Sequence, residues 1–146
     1  AQSADWEVIA DFNSRLAAET EGKLLNPETI NAGVRALLMD AKHGRYFVAL
    51  DSGTVIGQIM HTREWSDWRN GEIWWLQSVY VAASARRQGV FRRLVEHVSQ
   101  LAQSNPGVVG LRLYVEEHND RAAATYDRLG LKEAGYVVRE LIWRSW

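Results

Sequence analysis

From Asp5 onward, Trp6, Ile9, Phe12 and Leu16 recur at three- and four-residue steps, the stripe of an amphipathic helix, with Ser3 or Asp5 available as N-cap. Asn26-Pro27 supplies a second cap followed by proline at the first helical position. Ile30, Val34, Leu37 and Leu38 form that helix's apolar face, and Gly44 suits its stop. Residues 45–50 and 54–61 are β-rich runs separated by Asp51-Ser52-Gly53, which predicts an antiparallel hairpin. The tryptophan-rich stretch 64–71 ends in polar residues and reads as a loop. Residues 73–81 are apolar on both faces, the mark of a central strand. Val90, Phe91, Leu94, Val95, Val98, Leu101 and Ala102 then make a continuous helical stripe that ends near Asn105-Pro106-Gly107. A strand over 108–115 follows, then a helix capped by Asn119 and carrying Ala122, Ala123, Tyr126 and Leu129, with Gly130 in the left-handed position after it. Residues 136–143 read as a closing strand. Alternating strands and helices in the second half imply a locally parallel pair, so the expected class is a mixed α/β sheet covered by helices.

Composition narrows this little. The chain has 146 residues, 47% of them hydrophobic, enough to bury the core of one domain spanning 1–146. Without cysteine there is no disulfide framework and no thiolate zinc site, and His43, His61, His97 and His118 lack ligand spacing, so no metal is expected. No apolar run approaches the ~20 residues of a membrane span, and Ala-Gln-Ser-Ala-Asp has neither region of a signal peptide. The expectation is a cytoplasmic protein without a membrane partner. The first residue is not Met, which suggests a trimmed start. A net charge of −1 gives no field favouring nucleic acid, and the basic residues are confined to one turn, Arg86 to Arg93. A nucleic-acid-binding domain is therefore a poor second reading.

That turn carries the first candidate chemistry. A strand running into Ala83-Ser84-Ala85-Arg86-Arg87-Gln88-Gly89 and then a helix leaves the helix's first N–H groups unpaired, and such an end binds anions. Gly89 allows close backbone approach, while Arg86, Arg87, Arg92 and Arg93 add full charges to the helix dipole. A diphosphate is the natural ligand. The turn has neither the Gly-Lys-Ser/Thr ending of a Walker loop nor a G-x-G-x-x-G, which disfavours ATP and NAD. On local physics alone, an ordinary strand-to-helix turn with a solvated arginine face fits as well.

Arg86-Arg87-Gln88-Gly89-Val90-Phe91, preceded by Val79-Tyr80-Val81, resembles the (R/Q)-x-x-G-x-(G/A) coenzyme A signature of the GNAT acetyltransferase superfamily. A second family pattern, Asn-x-x-Ala-x-x-x-Tyr-x-x-x-Gly-(Phe/Leu), is matched by Asn119, Ala122, Tyr126, Gly130 and Leu131. The resemblance implies the acyl-CoA N-acyltransferase fold, a central mixed β-sheet flanked by about four helices, with an opening strand before the first helix. It also implies acetyl-CoA as cofactor, held by Val79, Tyr80, Val81, Arg86, Arg87, Gln88, Gly89, Val90, Phe91, Arg92, Asn119 and Tyr126. An amine acceptor attacks the thioester directly, a backbone N–H of the central strand stabilises the oxyanion, and Tyr126 is the candidate general acid. Asn119 and Tyr126 lie seven residues apart, about two turns, on one side of their helix. Phe91 departs from the usual small residue, but on the helix's apolar stripe its side chain can turn inward. Small acetyltransferases of this type are often dimers, so a homodimer is expected.

A primary amine with pKa near ~10.4 must lose a proton before attack. Many family members place a carboxylate on the central strand, whereas this chain has Gln77 and Ser78. Glu64, Asp67, Glu116, Glu19 and Glu21 are the acidic residues that could reach the substrate side, each also readable as a solvated surface carboxylate. Trp74 and Trp75 point to opposite faces of a strand, so at least one belongs to the core. Trp65 and Trp68 are candidates to line an acceptor pocket suited to a cationic or aromatic amine, or else a plug or dimer contact. The substrate-side candidates are thus Glu21, Glu64, Trp65 and Trp68. The function expected is acetyl-CoA-dependent transfer to a primary amine of a small molecule or peptide. The alternative is a non-catalytic module of the same fold that binds coenzyme A as a ligand or sensor.

Overall fold

In the computed structural model, residues 1–115 and 119–143 are described, and the chain divides into two compact units, Ala1–Leu113 and Tyr114–Trp146. The first unit opens with α1 (Trp6–Glu21) and α2 (Pro27–Met39), continues through β1 (Gly44–Asp51), β2 (Thr54–Ser66), β3 (Gly71–Val81) and α3 (Val90–Ser104), and ends with β4 (Val108–Leu113). The second unit holds α4 (Asp120–Arg128). Local chemistry sets most boundaries. Asn26 accepts the Thr29 N–H at 3.0 Å with Pro27 opening α2, and Asn119 accepts the Ala122 N–H at 3.1 Å to start α4. Ser52 and Gly53 both take positive φ, +49° and +83°, the twist of a two-residue hairpin turn, and join β1 to β2.

The sheet order is β1-β2-β3-β4, antiparallel except for the parallel β3–β4 pair, as the strand-helix-strand alternation implied. On one face α1 and α2 pack Ile9, Ala10 and Val34 against Tyr46, with Val48 and Met60 alongside. On the other, α3 buries Val90, Leu94, Val95, Val98 and Ala102, and His97 meets Phe47 edge-on with ring centroids 5.3 Å apart.

Four expectations change. Gly44 does not stop α2, which ends at Met39; it begins β1, where a Cβ would lie 1.9 Å from the His61 carbonyl oxygen. The 64–71 stretch is no loop: β2 runs on to Ser66, Trp65 pairs with Glu72, and the chain reverses over Asp67–Arg69 with Asn70 left-handed at φ +47°. Its polar residues alternate with apolar ones, as a half-exposed strand allows. β4 ends at Leu113, two residues short of the expected 115. Residues 136–143 form no strand, and Tyr136, Val137 and Trp143 are exposed. Their β-propensity expresses packing on a pleated, half-buried surface, which takes effect only within a ladder.

Trp74 is the core member of the tryptophan pair. It stacks on His61 at 3.9 Å, and the imidazole is buried, with no partner for Nδ1 among the described residues. Burial pulls the His61 pKa down from 6.5 to about 4, so the ring is neutral at pH 7. Between those values the unfolded chain binds a proton that the folded chain refuses, so stability falls as pH drops through this window. The contribution is roughly 3 kcal/mol at most. Chemical denaturation followed from pH 7 to pH 4 should show this decline, and His61→Phe should flatten it.

Candidate active site

β3 pairs with β4 only from Glu72↔Val108 to Leu76↔Leu113, and its remaining residues, through Val81, have β2 on one side and no strand on the other among the described residues. This half-strand is also irregular. Met60 faces Gln77 and Gln58 faces Tyr80, so Ser78 and Val79 together oppose Ile59, with Ser78 at φ +50°. The Ala82 N–H donates to the Ile56 carbonyl at 2.9 Å, which fixes the alternation: Ile56, Gln58 and Met60 are the β2 residues facing β3. The backbone of Ile59 therefore turns away from Ser78 and Val79, and Val81 faces the open edge. There the Val81 carbonyl accepts from Arg86 Nε at 3.0 Å.

The strand leads through a 3₁₀ turn, Ala83–Ala85, into Arg87 at φ +64° and Gly89 at φ +77°, both left-handed. Gln88 Nε2 donates to the Ser84 carbonyl at 3.0 Å and ties the turn across its base. The first α3 bond runs from Arg93 N–H to Gly89 O at 3.0 Å, so the amides ahead of it have no acceptor within the helix. Val90 is buried and Phe91 half-buried beside it. Non-glycine left-handed residues cost on the order of 1 kcal/mol each. Ser52 and Asn70 adopt this conformation in tight reversals, while Ser78 and Arg87 flank the open edge. The ensemble presents unpaired strand amides leading to an electropositive helix end, a fit for an extended amide-bearing chain terminated by phosphates.

Arg86 also reaches α1. Its Nη2 lies 2.6 Å from Glu19 Oε2, the Tyr80 hydroxyl donates to Glu19 Oε1 at 2.8 Å, and Phe12 packs on Tyr80 with ring centroids 4.9 Å apart. The Tyr80 hydrogen bond and the guanidinium hold the Glu19 carboxyl below its ordinary range; burial, then Glu19, pushes the Tyr80 phenol up. Tyr80 thus turns its side chain to α1 and its backbone to β2, leaving Val79 and Val81 to face the edge. Glu19, weighed as a base, is engaged with the arginine of the turn.

A second cluster lies on the α1–α2 side of the sheet, two and four residues along β2 from Met60. Glu64 accepts from Arg112 Nη1 at 3.0 Å and from the Trp75 indole N–H, and Gln77 donates to the Thr62 hydroxyl at 3.0 Å. All five side chains are partly exposed. Trp65, next to Glu64 in the strand, points to the opposite face and is 63% exposed, and Trp68 sits in the turn at 87%. Trp75, rather than Trp65 or Trp68, is the tryptophan that joins Glu64. Glu21 is exposed and pairs with Lys23 at 2.7 Å; Asp67 accepts the Trp68 N–H and shapes the turn. Glu116 lies outside the described residues.

In the second unit, Asn119 uses Oδ1 as the α4 cap, Gly130 is left-handed at φ +87°, and Tyr126 is buried. Burial pushes the Tyr126 phenol up to about 12, so it keeps its proton at neutral pH. Two features escaped the sequence reading: the Glu19–Arg86 pair and a buried Gln58–Asn13–Tyr46 network. Their signals were Gln58 within the apolar run 55–60 and Asn13 on the apolar stripe of α1.

Comparison with known proteins agrees with this geometry. A solved structure of a possible acetyltransferase from Clostridium difficile 630 superposes with a TM-score of 0.93 and 43% identity, covering 99% of this chain and 95% of that one. A ribosomal-protein-alanine N-acetyltransferase from Brucella melitensis biovar Abortus 2308 gives a TM-score of 0.75 at 15% identity, covering 96% and 95% of the two chains. A glucosamine-6-phosphate N-acetyltransferase from Arabidopsis thaliana gives 0.74 at 14%, covering 97% and 94%. These last two share the fold. No curated protein sequence matches the chain. The family model described as acetyltransferase (GNAT) family matches residues 6–131, and with the close structural relative it shows that this chain belongs to the GNAT acetyltransferase family.

Proposed function

We propose that this protein is an acetyl-CoA-dependent N-acetyltransferase acting on a primary amine of a small molecule or peptide. The observation that carries the reading is the open half of β3, bulged at Ser78–Val79 and continuous with the α3 turn. The pantetheine arm adds to the open edge through its amides, facing Val79 and Val81, and the diphosphate meets the turn from Arg86 to Arg92. Arg86 can exchange its exposed Glu19 partner for phosphate, since a solvated ion pair is weakly held.

The chemistry asks little of covalent groups on the protein. The amine nitrogen attacks the thioester carbonyl, the carbon–sulfur bond breaks, and the thiolate takes a proton, in this reading from Tyr126. The Val79 N–H bears the developing oxyanion. The acceptor lies over Thr62, Trp75 and Gln77, with Glu64 as the nearest carboxylate to receive the amine proton. Support for an amine acceptor comes from the activities named for the Brucella and Arabidopsis neighbours.

Calorimetry with acetyl-CoA, followed by thiol release across a panel of primary amines, tests the assignment. Binding with release is expected; binding without release on any amine would favour a coenzyme A sensor instead. With an acceptor in hand, Tyr126→Phe should lower kcat roughly 10²-fold or more while acetyl-CoA affinity holds. Glu64→Gln should cut kcat by about 10²-fold at pH 7, and the deficit should shrink as rising pH supplies free amine. A pH-independent deficit would remove Glu64 as the base.

A further inference from the structure

Gln58 is fully buried, in the middle of β2, and its side chain reaches the bulge in β3. Both Nε2 protons are used, one to Asn13 Oδ1 at 2.9 Å and one to the Ser78 backbone carbonyl at 3.3 Å. Asn13 in turn donates to the Tyr46 hydroxyl at 3.0 Å. A chain of side-chain hydrogen bonds thus runs from Tyr46 through Asn13 and Gln58 to the bulge. Yet Gln58 Oε1 has no hydrogen-bond partner among the described residues. A buried polar atom left unsatisfied opposes folding, so it is the donors of this glutamine, to Asn13 and Ser78, that are in use.

The bond to Ser78 O sets the direction of the next amide. In a trans peptide the carbonyl oxygen of one residue and the N–H of the next point in opposite directions within one rigid plane. Holding Ser78 O toward Gln58 therefore aims the Val79 N–H away from β2, out of the open edge. A hydrogen bond to the carbonyl also polarises the amide and strengthens its N–H as a donor. We infer that Gln58, braced by Asn13 and Tyr46, is the positioning residue that orients the Val79 N–H toward the acetyl carbonyl of the bound thioester. The inference rests on the acetyl-CoA reading above and adds to it how the chain distinguishes acetylated from free coenzyme, since only the former presents a carbonyl oxygen to that N–H.

The test compares affinities for acetyl-CoA and CoA, which needs no acceptor. Wild-type protein should prefer acetyl-CoA. Gln58→Met, which keeps volume and removes the donor, should lower that preference roughly 3- to 10-fold, the value of one hydrogen bond, with CoA affinity within about twofold of wild type. Tyr46→Phe, which removes only the outer brace, should shift it the same way by less, and stands in if Gln58→Met does not fold. In wild type, acetyl-CoA but not CoA should move the Val79 amide proton resonance downfield. Wild-type protein that binds neither coenzyme overturns the acetyl-CoA reading itself. Equal wild-type affinity for the two overturns the Val79 contact. A folded Gln58→Met that keeps the preference, or loses both affinities alike, overturns the positioning role.

Discussion

Everything in the first unit is arranged around one unmet backbone demand: β3 carries a ladder of N–H and C=O groups whose second half has a partner on only one side. Backbone polar groups are obligatory hydrogen-bonders, and an open edge inside a sheet is a standing invitation to an extended ligand. The parallel pairing with β4 stops at Leu76, two residues before the bulge begins at Ser78. The bulge takes Ser78 and Val79 out of the regular ladder with β2, with Ser78 O held by the Gln58 side chain. Immediately beyond, the same chain turns into α3, whose first amides lack acceptors of their own. A strand edge and a helix end are thus placed in series, as the proposed function requires for a ligand's amides and then its charge.

The surroundings of this edge divide the labour by face. On the α1 side, buried Gln58 holds Ser78, and Tyr80 holds the exposed Glu19, which holds Arg86. On the α3 side the packing is apolar around Trp74 and a neutral His61. Farther along the α1 side, Glu64, Arg112, Trp75, Thr62 and Gln77 form a partly exposed polar floor beside the strand. Buried rigidity near the bulge and exposed polarity beyond it match the different tasks of fixing one amide and admitting an amine. Helix α1 braces both the bulge and the turn, since Glu19, which pairs with Arg86, belongs to the same helix as Asn13.

Much of this was legible in the sequence because it depends on local rules. Asn26-Pro27, Asn119 and the Asp51-Ser52-Gly53 turn act through bonds between near neighbours, and the stripe of α3 is one residue period repeated. The turn from Arg86 to Phe91 was singled out through its motif. What stayed hidden depends on register and on contacts across the chain. Whether Glu64 or Trp65 faces the acceptor follows from strand parity within a segment whose tryptophans and charges obscure alternation, so Trp75 was not joined to Glu64 in advance. The Gln58 network links positions 13, 46, 58 and 78, and no window of sequence contains them. The 136–143 run erred the other way, because β-propensity does not specify a partner.

Amide hydrogen exchange with and without acetyl-CoA tests the central claim most directly, because it reads the backbone groups on which the account rests. Added acetyl-CoA should slow exchange at Val79, Val81 and the first turn of α3, with little change in β1 or at the β1–β2 turn. Protection confined to segments away from the β3 edge, with the 77–81 amides exchanging as fast as before, would contradict the claim.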